Sequence, residues 1–519
     1  MQQALSQAEQ AAKKGDIDFA KQLYAAVLQK HPDHLFAKKS LRKLEKNSQL
    51  KKTRLTVQAD PSLHQMDNLI SLFNSGEMSK AKQACKKLLA AFPQAATVYT
   101  VLGAILMRQG KAEQALKTYD QVILLKPDYA DAYNNRGNVL KELGQFEEAI
   151  KSYDRAIQLK PDYAKACTNR GNTHKDLGQL EEAIKSYDRA VELEPDYAEA
   201  YNNRGTILQE LGHLKDAIKS YDQAIQLKPD YAQAYYNRGI AFQELGQLEE
   251  AIKSYDRVIQ LKPDFAKVYD SRGIALQDLK QLEEAIKSYD LAIRLQPDYA
   301  EAYYNRGNAL KELGQLEEAI KGYDKAIELK LDYAQAYNNR GNAFKELGQF
   351  EKAVKNYDRA IQIKPDYVKA NNNRGAALQE LGQLEEAIKS YDQAIQLQPD
   401  SSEAYSNRGT ALQDFGRLEE AIKSYAKAIQ ISPDFYSARY NRSLAWLLGG
   451  NFQQGWPEHE FRIQTFEDRK RTFHQGAEWQ AEPLEDKLLF IYPEQGLGDT
   501  IQFLRYLPLI KKTGRQSDF

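Results

Sequence analysis

Small and apolar side chains recur along this chain with the spacing of a helix face. In the stretch from Ala130 to Tyr163, Ala149, Tyr153 and Ala156 stand four and three residues apart, which is one face of a 3.6-residue period. Just upstream, Tyr133, Gly137 and Leu140 make a matching stripe. The pattern predicts two amphipathic helices laid against each other. Gly137 has no side chain and lets the helices approach closely, and that packing offsets the ~1 kcal/mol penalty of glycine inside a helix. A Leu-Gly-Gln turn separates the stripes, with Gly144 suited to the left-handed backbone that follows a helix end. Pro161 starts the next helix or stops the last.

The same pattern returns every 34 residues as a Pro-Asp-aromatic step, with prolines at 127, 161, 195, 229, 263, 297, 365, 399 and 433 and Leu331 standing in once. Pro93 extends the phase upstream. At 519 residues the chain is too long for one globular core, but a stack in which each unit packs only on its neighbours has no such limit. A 34-residue helix–turn–helix unit with small residues at fixed places and a closing proline resembles the tetratricopeptide repeat (TPR), and the resemblance spans most of the chain. It implies an all-α fold, a TPR superhelical solenoid of helix pairs that binds proteins or extended peptides.

Five segments follow from the phase. Residues 1–34 make a divergent first repeat, with Ala8, Ala20, Tyr24 and Pro32 at the expected offsets. The phase slips between Leu35 and Pro61, and residues 35–61 read as a basic helix and linker. That segment holds Lys38, Lys39, Arg42, Lys43, Lys46, Lys51, Lys52 and Arg54 against one acid, Glu45. Its charge fits either an acidic partner or, more plainly, a solvated helix and linker. An in-register array occupies 62–435, with ten full repeats from Ala96 to Phe435, and 436–463 reads as a capping repeat. In the cap, Gly455 and Trp456-Pro457 replace the usual Ala-Ile. Residues 464–519 fall outside the period. Within the array, Lys280 replaces a turn glycine, and the expectation is that its turn adjusts. His174 reads as a core histidine.

Lys+Arg 72 balances Asp+Glu 72, which argues against a general nucleic-acid or anionic-membrane binder. Cys85 and Cys167 cannot make a disulfide framework and read as buried thiols in a reducing compartment. The N-terminus has no basic start and apolar core of a secretory signal, and no apolar run approaches the ~20 residues that span a bilayer. A cytoplasmic location is expected. None of the seven histidines pairs with a second ligand-type residue at metal spacing, so no metal site and no catalytic residue is read from the repeats.

One polar column stands out because folding does not call for it. Asparagine is a poor helix-interior residue, yet it recurs two places before the helix glycine, at Asn135, Asn169, Asn203, Asn237, Asn305, Asn339, Asn373, Asn407 and Asn441, with Ser271 as the exception. A side-chain amide pairs with both the N–H and the C=O of a passing peptide, so the column predicts an exposed, concave wall for extended backbone. The varying residues before it (Asn134, Thr168, Asn202, Tyr236, Asp270, Tyr304) would tune selectivity. The column resembles the asparagine ladder of the TPR region in O-GlcNAc transferases, where the inner surface holds the protein substrate. Repeats this alike also allow a plainer origin, an idle asparagine copied by duplication. The arginines that follow the column, Arg136 through Arg442, read as structural, paired with acids of adjacent helices.

The tail carries different chemistry. Leu488-Leu489-Phe490-Ile491-Tyr492, then Gln495-Gly496-Leu497-Gly498-Asp499-Thr500, then an amphipathic run to Tyr506, read as strand, phosphate-type loop and helix. The string resembles the linker and first strand–loop–helix of bacterial TPR-linked glycosyltransferases. By that resemblance, Gln495, Gly496, Gly498, Asp499 and Thr500 are the remnant of a phosphate-type loop. A sugar nucleotide would be the cofactor only with the rest of two Rossmann-like halves supplied, for instance by a separately encoded glycosyltransferase domain. The ending Gly-Arg-Gln-Ser-Asp-Phe resembles a truncated or frameshifted end, and Leu488 to Tyr492 is expected to lack sheet partners. The expectation is therefore a binding scaffold more than an enzyme. Its rivals are the substrate-recognition part of a protein glycosyltransferase and a purely structural scaffold.

Overall fold

The computed structural model describes residues 2–13, 17–31, 34–44 and 60–461, together with the backbone at 489–490 and 517–518. The chain divides into two compact units, Met1–Leu331 and Asp332–Phe519, and in each the architecture is a solenoid of stacked helix pairs. The first unit opens with the pair Gln2–Lys13 and Ile17–Lys30, in which Ala8, Ala20 and Tyr24 are buried. A helix at 35–44 follows, burying Ala37 and exposing Lys38, Lys39, Arg42 and Lys43. The remaining charges of the basic segment lie outside the described residues. Helix Leu63–Asn74 begins at a capping box in which Ser62 and Gln65 satisfy each other's backbone N–H, and it pairs with Met78–Ala91. Seven regular pairs then run from Ala96–Arg108 to Leu316–Leu329. The second unit holds three more, from Ala334–Glu346 to Leu418–Ile431, and the cap Tyr436–Leu448 with Phe452–His459.

Each regular pair is closed by one contact that the sequence stripe anticipates. Tyr153, Tyr187, Tyr221, Tyr255, Tyr289, Tyr323, Tyr357 and Tyr425 are fully buried, and every ring lies on the glycine of the partner helix. A Cβ built on Gly239 would come within 2.5 Å of the Tyr255 ring, and one on Gly137 within 2.5 Å of Tyr153. Only glycine admits the ring there.

The turns are Schellman motifs. At Gly144, with φ 73°, Gln145 N–H donates to the Leu140 carbonyl at 2.8 Å and Gly144 N–H to that of Lys141 at 3.0 Å. Lys280 does not relax this turn, against the sequence expectation. It keeps φ at 61° and both bonds, from its own N–H to Gln277 and from Gln281 N–H to Leu276, each at 2.9 Å. Two intraturn bonds hold the lysine in left-handed backbone, and its ammonium pairs with Glu312 at 3.1 Å. The prolines sit in the turn after each second helix and not at the start of the next. Leu331 fills the same place without lengthening the helix, since Lys330 leaves it at φ −137°, ψ 92°, much as Lys160 does ahead of Pro161. In the cap, Gly455 is buried against Leu447, and Glu458 pairs with Arg442.

Cys85 and Cys167 are free and buried. Desolvation pushes the Cys85 thiol up to about 11 and raises that of Cys167. His174 is half-buried and shares a 2.7 Å hydrogen bond with Gln179. Residues 489–490 pair in parallel with 517–518, in the register Leu489 to Ser517. Of the expected strand Leu488 to Tyr492, Leu489 and Phe490 thus have partners, contrary to expectation, and the rest lies outside the described residues. Among the described residues no helix is long and apolar enough to cross a membrane.

Candidate functional site

The nine asparagines of the column are half-buried, not exposed, because they are tied to one another through the residue that precedes the column. Asn169 donates to Asn134 Oδ1 at 2.9 Å, Asn237 to Asn202 at 3.1 Å, Asn373 to Asn338 at 3.0 Å and Asn407 to Asn372 at 3.1 Å. Asn305 donates to Asp270 Oδ1 at 3.0 Å. Where the acceptor position carries Thr168, the bond moves: Asn203 reaches Asn172 Oδ1 at 3.3 Å. Within a repeat the same preceding residue feeds the column, as Asn338 Nδ2 does to Asn339 Oδ1 at 3.0 Å. The amides thus form a ladder that runs from repeat to repeat. This is the packing reason for the asparagines that the helical pattern alone did not reveal. The residues before the column are buried at Asn134, Thr168, Asn202, Tyr236, Asp270 and Asn338 and half-buried at Tyr304, and Asn134, Asn202, Asp270 and Asn338 act as rungs to the next repeat. Asn135 and Asn441 keep the same half-buried station at either end.

The arginines flanking the ladder are clamps, as their position suggested. Arg136 donates to Asp120 of the preceding repeat and to Ser152 of its own second helix, each at 2.7 Å. Arg170, Arg204, Arg238, Arg272 and Arg374 repeat this, each bridging an aspartate behind and a serine ahead. Arg340 uses Asn356, which replaces the serine. The ladder is therefore positioned from below by guanidinium bridges that join neighbouring repeats.

Asp270 is the one carboxylate in the rung column. It is buried and accepts from Asn305 and, at 3.3 Å, from Tyr299. Burial raises its pKa above the ordinary aspartate value, and those two hydrogen bonds only partly oppose the shift.

Comparison with known families settles what the repeats are. A profile described as "TPR repeat" matches residues 103–144, 137–178, 171–212, 207–246, 278–314, 307–348, 341–382 and 377–416, more than half of the chain. Profiles described as "Tetratricopeptide repeat" match 232–265, 402–435 and 67–123. The chain belongs to the tetratricopeptide-repeat family. Among solved structures, this TPR protein is similar to MamA, with 29% identity over 33% of this chain and 94% of that one at a TM-score of 0.31. It is similar to YrrB, described as a TPR protein with an unusual peptide-binding site, with 26% identity over 36% and 96% at 0.32. It is also similar to the Cut9–Hcn1 hetero-tetramer of the APC/C, with 13% identity over 78% and 93% at 0.40. No curated protein matches the chain.

Gln495, Gly496, Gly498, Asp499 and Thr500 lie outside the described residues. Sequence reasoning found the ladder's column but missed its rungs. The signal was present, since Asn or another polar residue recurs 35 positions before a column asparagine.

Proposed function

We propose that this TPR protein binds extended segments of partner proteins along the asparagine column. One observation carries the reading: the ladder uses one N–H of each of Asn169, Asn305, Asn373 and Asn407. A side-chain amide has two donors and two acceptor lone pairs, so each of these keeps a second N–H and its carbonyl oxygen for a ligand backbone. Half-burial leaves one edge of the amide reachable, and the rung fixes its orientation before binding. That preorganisation lowers the ordering cost of association.

The test uses peptides selected on the full-length protein from a random display library. Calorimetry then compares the wild type with the triple variant N203A/N237A/N305A. The expected outcome is a folded variant with clearly weaker peptide binding, at a stability cost of about 0.5–1.5 kcal/mol per lost bond. Unchanged affinity would remove the column from the binding surface.

A second reading rests on the tail, whose Gln495–Thr500 string resembles a glycosyltransferase loop. Here the TPR array would present substrate to a catalytic domain supplied separately. The chain by itself is expected to transfer no label from a sugar nucleotide to lysate proteins. Labelling that disappears in D499A would promote the enzyme reading.

A further inference from the structure

Ten turns between Pro127 and the cap end in the Pro-Asp step or its Leu331 variant, and nine of them place an aromatic ring next, from Tyr129 to Phe435. Ser401 is the exception. In the intact turns the ring covers the preceding repeat: Tyr163 donates to Asp131 at 2.6 Å, and Tyr299 to Asp270 at 3.3 Å. The equivalent partners of position 401 are Lys369 and Asn372. Both line a cavity of about 290 Å³, with Val368, Asp400, Ser401 and Glu403 around them. A second observation agrees. Among the smaller rung residues, Asn134, Thr168, Asn202, Asp270, Asn338 and Ser406 are buried, whereas Asn372 is only half-buried; of the bulkier tyrosines at this position Tyr236 is buried and Tyr304 and Tyr440 are half-buried. Asn372 is thus the one small rung residue left half-buried, and it lies at the turn that lacks its ring.

We infer that this cavity receives a tyrosine side chain from the bound segment, replacing the ring that the sequence omits. That the occupant is part of a peptide rests on the binding reading above; the cavity itself does not. The cavity opens to solvent and has room for a single ring. The walls suit a phenol. Lys369 offers an ammonium to the ring face and hydroxyl, and Asp400 and Glu403 offer carboxylates to the hydroxyl hydrogen. Asn372 donates to Glu403 at 3.0 Å and accepts from Asn407, a column residue, at 3.1 Å. A ring seated here therefore lies against the rung that orients Asn407, where an extended segment would already be held. Ser401 supports the turn in the ring's absence by capping helix Ser402–Asp414, its Oγ accepting from Ala404 N–H at 3.3 Å.

The test fills the cavity from within. Saturation-transfer NMR of the full-length protein with N-acetyl-tyrosinamide should give ring-proton signals. S401Y and S401F should abolish them. Both residues occupy this step elsewhere, so folding is preserved, and two variants guard against one misbehaving. The ladder variant N203A/N237A/N305A should keep the signals, which separates failure of the cavity from failure of the column. Undiminished signals in S401Y and S401F, or equal signals from N-acetyl-leucinamide, would overturn the assignment.

Discussion

A buried tyrosine must place its hydroxyl, and most of those in this solenoid do so in one of two ways. Where the position after the glycine is asparagine, the phenol donates to it, as Tyr153 does to Asn138 at 2.8 Å and Tyr357 to Asn342 at 2.8 Å. Where that position has become Ile240, Ile274 or Ala376, the phenol turns to a glutamine, Tyr255 to Gln243 at 3.0 Å, Tyr289 to Gln277 at 3.1 Å and Tyr391 to Gln379 at 3.4 Å. The interchangeable acceptor lets one position drift while the ring stays. The ring itself carries the stability: Y255A should cost about 3–5 kcal/mol in urea unfolding, as other large aromatic deletions do. A loss below ~0.5 kcal/mol, the ordinary surface level, would put the helix faces in error. Asp270 gives a pH prediction at the same scale. Its raised pKa means the folded state favours the neutral acid, so stability is lost as pH rises from the ordinary value of 3.8 through the folded one. Asn305, Tyr299, Glu301, Lys267 and Tyr289 are the groups that act on it. D270N, which restores the asparagine found at other rungs, should melt higher than wild type at pH 7. The gap should close as pH approaches 3.8.

Among elements, the turn at Lys280 stores strain that its eleven glycine counterparts avoid. K280G should stabilise the stack by about 1 kcal/mol, from relief of the left-handed penalty, less the small share of the exposed Lys280–Glu312 pair. Equal melting temperatures would mean that the turn carries no strain. Helix faces, turn glycines and clamping arginines were all legible in the sequence, because each answers to a local spacing of three, four or sixteen residues. The rungs were not. An asparagine's partner lies 35 positions upstream on another repeat, and helical periodicity carries no information at that distance. For the same reason the column read as exposed when packing half-buries it. Ser401 was hidden differently, as one small residue in a step that otherwise repeats.

For the whole molecule, nearest-neighbour packing makes stability a local property, and the two cysteines turn that into something measurable. Cys85 and Cys167 lie in different helix pairs of the first unit, Met78–Ala91 and Ala164–Asp176. Burial and the raised thiol pKa make both slow to alkylate while folded. Each is therefore a stopwatch for the opening of its own repeat. In Y187A, which empties the pair around Cys167, iodoacetamide should label Cys167 roughly a hundredfold faster or more, following the ~3–5 kcal/mol lost there. Cys85 should keep its wild-type rate. If both thiols accelerate together, the repeats open as one cooperative block, and the chain behaves less like a stack than like a single latch.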